Sequence, residues 1–254
     1  MNPAPIPRRT GLLALAALAV TPSAVAAPLG PLPRPTTPWP KESLRRIPTR
    51  RRVVALTFNA AWNEAGLDTV LSVLSHHGLP ATFFVTGQFA ERHTCAMRTI
   101  AAAGHGIGNH SYSHPDYRHI TRAQGQSDMD RADRAIRKAI DAPPAPFFRF
   151  PYSEPTANGI VDANARGWTN VEFTTDTRGY VGRTGGMTVA LAAARAAETL
   201  APGQILQMHV GTPDEQRPEP VLDALALPRI IRHLHANDYR VGDLRTLLAR
   251  RPVT

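Results

Sequence analysis

Residues 53–62 read VVALTFNAAW. Val53 to Phe58 form a largely apolar run of strand length, rich in β-branched and aromatic side chains. The run stops at a small polar residue, Asn59, and two alanines and Trp62 follow. A strand that ends on a polar side chain raises the question of what that end is for.

Reading outward, six more short runs have the same character: ATFFVT (81–86), HGIGN (105–109), PFFRF (146–150), VEFTT (171–175), QILQMH (204–209) and YRV (239–241). Helical patterns separate them. Leu67, Val70, Leu71 and Leu74 recur at helix spacing and stop at Gly78. Thr121 with Gln124 spells a capping box, after which Met129, Ala132, Ile136 and Ile140 share one face. TVALAAARAAETL (188–200) is strongly helical, with Gly203 beyond its end. Strands alternating with amphipathic helices predict an α/β fold with a parallel sheet. About seven units predict a distorted (β/α)7-type barrel, closed or incomplete, in a single domain.

In such barrels the functional face lies at the C-terminal ends of the strands. Asn59 ends the first strand, and NHSYSHPD with His110 and His114 follows the third. RFPY, with Arg149 and Tyr152, ends the fourth; Asp176 follows the fifth; His209 ends the sixth. Polar and titratable residues therefore collect where an active site belongs. His110 and His114 are close enough in sequence for both imidazoles to reach one ion, and nitrogen ligation suits zinc or another divalent metal. A hydrogen-bonded pair of loop histidines is the alternative.

Five of these segments, taken in order, resemble the motifs of the polysaccharide deacetylase family, the NodB homology domain of carbohydrate esterase family four. TFNAAW stands for Thr-Phe-Asp-Asp, HSYSHP for His-Ser/Thr-x-x-His-Pro and RFPY for Arg-x-Pro-Tyr. TDTRGY stands, imperfectly, for Asp-x-x-Asp-Trp, and LQMH for Leu-x-His with one extra residue. The resemblance spans about residues 50–250. It implies a metal-dependent hydrolase that removes acetyl groups from N-acetylated cell-wall peptidoglycan or chitin-like glycan. It also implies His110 and His114 as metal ligands, Tyr152 as oxyanion donor with Trp62 nearby, Arg149 as orienter of the base, and His209 as general acid supported by Asp176.

The first motif departs from the family. Asn59 and Ala60 stand where it has two aspartates, one the general base and one a metal ligand. An amide takes up no proton at neutral pH, and alanine binds no metal. Glu64, Asp68 and Asp116 are the nearby carboxylates that could substitute. Gly179 and Tyr180 replace the second carboxylate and the Trp of the fourth motif. Two readings stay open: a deacetylase, or a catalytically impaired relative that binds glycan or acts as a scaffold.

Residues 1–26 read as a secretory signal: Arg8 and Arg9, the apolar stretch 11–20, then Ala24 and Ala26 before a cut at Ala27. The paired arginines followed by TGLL loosely resemble a twin-arginine signal. An uncleaved anchor is the alternative. Cleavage leaves no expected membrane span and predicts a secreted or cell-wall-associated protein. Residues 27–50 read as a Pro/Arg-rich arm, and residues 51–250 as the catalytic-type domain. The formal charge of +9 favours anionic polymers. RRIPTRRR (45–52) has no interleaved aromatics, so no nucleic-acid partner is expected. The single cysteine, Cys95, forms no internal disulfide and reads as a small buried hydrophobe on a helix. A monomer is expected.

Overall fold

The computed structural model describes residues 42–212 and 220–249; the signal segment and most of the N-terminal arm lie outside them. The chain runs β1 (Val53–Ala60), α1 (Leu67–His76), β2 (Thr82–Val85), α2 (Gly87–Arg92), α3 (Thr94–Ala102), β3 (Gly106–Asn109), α4 (Arg122–Ile140) and β4 (Phe147–Phe148). It continues with α5 (Ala157–Ala165), β5 (Thr169–Asn170), β6 (Thr175–Asp176), α6 (Val189–Glu198), β7 (Gln204–His209), α7 (Leu222–Ala236), β8 (Arg240–Gly242) and α8 (Leu244–Ala249). The strands pair in parallel in the order β5-β4-β3-β2-β1-β7-β6, and β8 pairs with β1. This is the predicted distorted β/α barrel.

The opening strand explains its own apolar run. Val54, Leu56, Phe58 and Ala60 face a core shared with Leu67, Val70 and Leu74 of α1 and Leu227 and Ile230 of α7. Ala55 faces a second core with Phe84, Phe147, Val171 and Ile205. A strand covered on both faces needs no polar alternation. Asn59 belongs to the inward set by the two-residue period of a strand.

Three local expectations change. The run 171–175 is not one strand: residues 171–174 are the passage between β5 and β6, and Thr175 opens β6. The backbone of that passage leaves the sheet register to meet the N-terminal segment: Leu44 pairs with Val171, and Glu172 N–H donates to Leu44 O at 2.9 Å. Arg46 in turn bridges Gln204 on β7. Residues 44–47, expected to lie in a spacer, thus link the β5 edge to β7, and Leu44 and Ile47 are buried in the second core. Cys95 is exposed, because Ala96, Met97 and Ile100 form the buried stripe of α3 and position 95 falls outside it. The predicted capping box is present, with Thr121 and Gln124 bonded reciprocally at the start of α4.

Candidate active site

Strand register brings the polar strand ends together. Asn59 is the Cα partner of His209 across β1 and β7, and Asn109, which precedes His110, is the partner of Phe148, which precedes Arg149. Arg149 is the centre of the site and is fully buried. Its Nε donates to Val171 O at 2.9 Å, Nη2 to Glu172 O at 3.2 Å, and Nη1 to Asn59 Oδ1 at 3.0 Å. The guanidinium lies 4.0 Å above the centroid of the Phe84 ring. Burial pushes it down to about 9, against the charges of Glu172 and Asp176, so it remains a cation at neutral pH. Glu172, which the sequence alone did not single out, is a buried carboxyl that acts on Arg149, and burial raises it above the usual range. Its apolar neighbours in the sequence gave no sign that it points inward.

Asn59 is held on both sides. Oδ1 accepts from Arg149, and Nδ2 donates to Gln207 Oε1 at 3.1 Å. An amide fits between one donor and one acceptor; a carboxylate would face an oxygen on the Gln207 side. Ala60 lies in the apolar core between sheet and helices and is fully buried.

The loop after β3 places the two histidines. Asp128 of α4 accepts from the backbone N–H groups of Tyr112 and Ser113 at 2.8 and 3.1 Å and from the Tyr117 hydroxyl at 3.1 Å. Ser111 and His114 take left-handed φ values of 72° and 58°, a conformation that the surrounding hydrogen bonds must hold in place. The His110 and His114 ring centroids are 5.0 Å apart. His110 Nδ1 lies 2.9 Å from Arg149 O, so Nδ1–H donates and Nε2 keeps its lone pair. Burial, then the neighbouring His114, holds His110 well below the usual imidazole range. Burial lowers His114 to about 4. Both rings are therefore neutral at pH 7, as metal ligation requires. His114 Nδ1 is buried without a hydrogen-bond partner among the described residues. Trp62 and Tyr152 flank His114, with ring centroids 5.5 and 4.8 Å away. Tyr152, 60% exposed with φ 58°, forms the rim.

The pair supplies two good nitrogen donors. Among the described residues, no three of His, Cys, Asp and Glu are placed to hold an ion together. None of the suggested substitutes is supplied to the pair. Glu64 sits 3.3 Å from His93 Nδ1, Asp116 binds Arg118 at 2.6 Å, and Asp68 is exposed in the first turn of α1. The set fits half of a metal centre.

His209 lies at the end of β7 with the Tyr180 ring 4.4 Å away. The expected support from Asp176 is absent. Asp176 is in register with Gln207, not His209, and its Oδ1 accepts from Arg178 N–H at 2.8 Å. The carboxylate beside His209 is Asp223 of α7, with Oδ2 2.9 Å from His209 N and 3.5 Å from Nδ1. The sequence pattern hid it, because Asp223 precedes an apolar helix and reads as an ordinary first-turn acid.

A parallel β/α barrel thus gathers paired neutral imidazoles, a buried arginine and a strand-end histidine at the C-terminal ends of its strands. A polysaccharide deacetylase family model matches residues 46–171. The chain is 30% identical over 214 residues to a chitooligosaccharide deacetylase of Sinorhizobium fredii, covering 79% of this chain and 95% of that one. It is 30% identical over 135 residues to a peptidoglycan-N-acetylglucosamine deacetylase of Bacillus cereus, covering 53% and 49%. In fold it is similar to a CE4 family pseudoenzyme from Bacillus anthracis, with TM-score 0.74 and 24% identity over 83% of this chain and 70% of that one. The chain belongs to the polysaccharide deacetylase family, with a NodB-type CE4 domain, a family of hydrolases acting on carbon–nitrogen bonds other than peptide bonds.

Proposed function

We propose that this chain recognises an N-acetylated glycan of the peptidoglycan or chitin-oligosaccharide type and removes its acetyl groups slowly, because its first motif lacks the groups that drive turnover. The observation that carries the reading is the bonding of Asn59. Arg149 points at the position of the base and finds an amide there. The rest of the constellation is kept: two neutral imidazoles, the Tyr152 rim and His209 at the strand end. Relatives named as chitooligosaccharide and peptidoglycan deacetylases support the substrate class.

Each residue keeps a role that needs no metal to define it. Arg149 fixes residue 59 against the barrel wall. His209 protonates the departing amine. Trp62 and Tyr152 border the space beside His114 and orient the acetamido group. A divalent ion, zinc by its preference for imidazole, would be held by His110 and His114 and would polarise the acetyl carbonyl. With two protein ligands, binding is weak. Export by residues 1–26 and a place outside the cell or on its wall complete the proposal.

A second reading, glycan binding without turnover, is favoured by Ala60, whose place in the apolar core leaves no carboxylate to complete the ligand set. The structurally similar Bacillus anthracis protein is a CE4 family pseudoenzyme, and one mutant of it has restored enzymatic activity.

The test is acetate release from a chitooligosaccharide by the wild type and by Asn59→Asp/Ala60→Asp. Recovery of a general base alone is worth about 10²–10⁴-fold, so a rise of at least that order is expected. A folded double variant no faster than wild type overturns the account, and so does Asn59→Asp alone where a carboxylate at the buried position 60 prevents folding. Zinc titration beside a His110→Ala/His114→Ala control separates the two readings. Weak binding that the control abolishes supports the slow enzyme; absence of binding to the wild type leaves the glycan-binding reading. N-terminal sequencing of protein recovered outside the cell tests export, with Ala27 as the expected first residue.

A further inference from the structure

Asp223 is fully buried in the first turn of α7. A carboxylate taken out of water this completely needs donors. Oδ1 accepts from the Thr177 hydroxyl at 2.6 Å, and Oδ2 from His209 N–H at 2.9 Å. The imidazole of His209 is a further donor beside Oδ2. Its Nδ1 lies 3.5 Å from Oδ2, beyond a well-formed hydrogen bond, and has no hydrogen-bond partner among the described residues. A small rotation of the ring closes that distance.

Gly179 records the same arrangement from the other side. A Cβ built on Gly179 would fall on Oδ1 and Cγ of Asp223, and 2.6 Å from its backbone nitrogen. Positive φ is not the reason for glycine here, since Gly179 is absent from the left-handed residues. Space is the reason. The carboxylate of residue 223 fills the volume that a side chain at 179 would take, and both flank the end of β7.

We infer that Asp223 is the residue that positions the His209 imidazole, a carboxylate delivered by helix α7 into the place vacated at position 179. The inference rests on His209 as the proton donor proposed above. With Nδ1–H turned to Oδ2, the tautomer is fixed and Nε2 is the nitrogen left to face substrate. Asp176, on the neighbouring strand, has no part in it. The rival role for Asp223 is structural: a first-turn acid that ties α7 to β7 through His209 N–H.

Two-bond ¹H–¹⁵N spectra of the imidazoles separate the two, with His209→Gln assigning the signal. The wild type is expected to show His209 protonated at Nδ1. Asp223→Asn is expected to shift it toward the Nε2-protonated form, and Gly179→Asp/Asp223→Ser, which moves the carboxylate back across the gap, to restore the wild-type pattern. An Asp223→Asn protein that keeps its thermal midpoint and shows the wild-type pattern overturns the inference. Should Asp223→Asn fail to fold, Gly179→Ala serves instead. It displaces the carboxylate and must change the His209 signal; an unchanged signal overturns the inference equally. The readout needs neither substrate nor metal. Failure of acetate release or zinc binding therefore counts against the proposed activity and leaves this inference to its own result.

Discussion

Arg149 and Asn59 illustrate how one atom changes a site without changing its shape. The guanidinium is buried with three acceptors, Asn59 Oδ1, Val171 O and Glu172 O. Two of these are backbone carbonyls that would be left unpaired by any shorter donor. Arg149→Lys keeps the charge and loses the planar fork. It is expected to lower stability by about 1–3 kcal/mol, since at least one buried acceptor loses its partner, and urea unfolding measures this directly. Asn59→Asp should behave oppositely at this contact, turning a bond from a charged donor to a neutral amide into an ion pair with Arg149. It also sets a carboxylate oxygen against Gln207 Oε1, so the Gln207 amide must turn to present Nε2. The sequence could show that Asn59 ends a strand and that Arg149 ends another. It could not show that they meet, because that depends on register across four strands. Nor could it separate Asp176 from Asp223 as the neighbour of His209: both are acids near a strand end, and helix placement decides between them.

At the scale of elements, α4 and α5 are clamped by charge as well as by packing. Asp162 of α5, nearly buried, accepts from Arg122 Nη2 at 2.6 Å and from Gln126 Nε2 at 3.0 Å. Arg166 grips Asp130 through Nε at 2.6 Å and Nη2 at 2.8 Å. The Arg122 hydrogen bonds hold the Asp162 carboxyl below the usual carboxylate range, and those of Arg166 do the same for Asp130. A lowered folded-state value stabilises the protein above the unfolded carboxyl range near pH 4, and the benefit is lost as pH falls through the lowered value. Stability is therefore expected to drop below about pH 4, and Asp162→Asn should flatten that acid limb. At neutral pH the same variant should lose about 1–3 kcal/mol, the usual worth of hydrogen bonds to a charged group. Chemical unfolding at a series of pH values tests both points. The α4 capping box and apolar stripe were legible in the sequence because they are local. The clamp joins residues about 40 apart, which no local pattern reports.

The whole barrel depends on a segment that composition alone assigns to a spacer. Pro and Arg dominate the stretch before β1, and such composition reads as a solvated arm. Leu44 and Ile47 are apolar residues in the described part of that stretch, and both are buried in the second core with Ala55, Phe84, Phe147, Val171 and Ile205. The alternation of strands and helices gave the barrel, but could not show where its sheet stays open or what bridges the gap. Leu44 holds the passage 170–172 on both sides, by Leu44 N–H to Asn170 O at 2.8 Å and Glu172 N–H to Leu44 O at 2.9 Å. That passage carries two of the three acceptors of Arg149. The N-terminal segment therefore supports the residue that sets Asn59. Leu44→Ala and Ile47→Ala are each expected to cost about 2–5 kcal/mol, as large-to-small changes in a packed core do. A solvated spacer predicts no change in the urea midpoint for either. The coupling to the site gives a second readout. In the Asn59→Asp/Ala60→Asp background, Leu44→Ala should lower acetate release even under conditions where the protein remains folded, because the Val171 and Glu172 carbonyls lose their fixed places and Arg149 with them. Undiminished activity in a destabilised Leu44→Ala protein would mean that the segment braces the barrel without reaching its site.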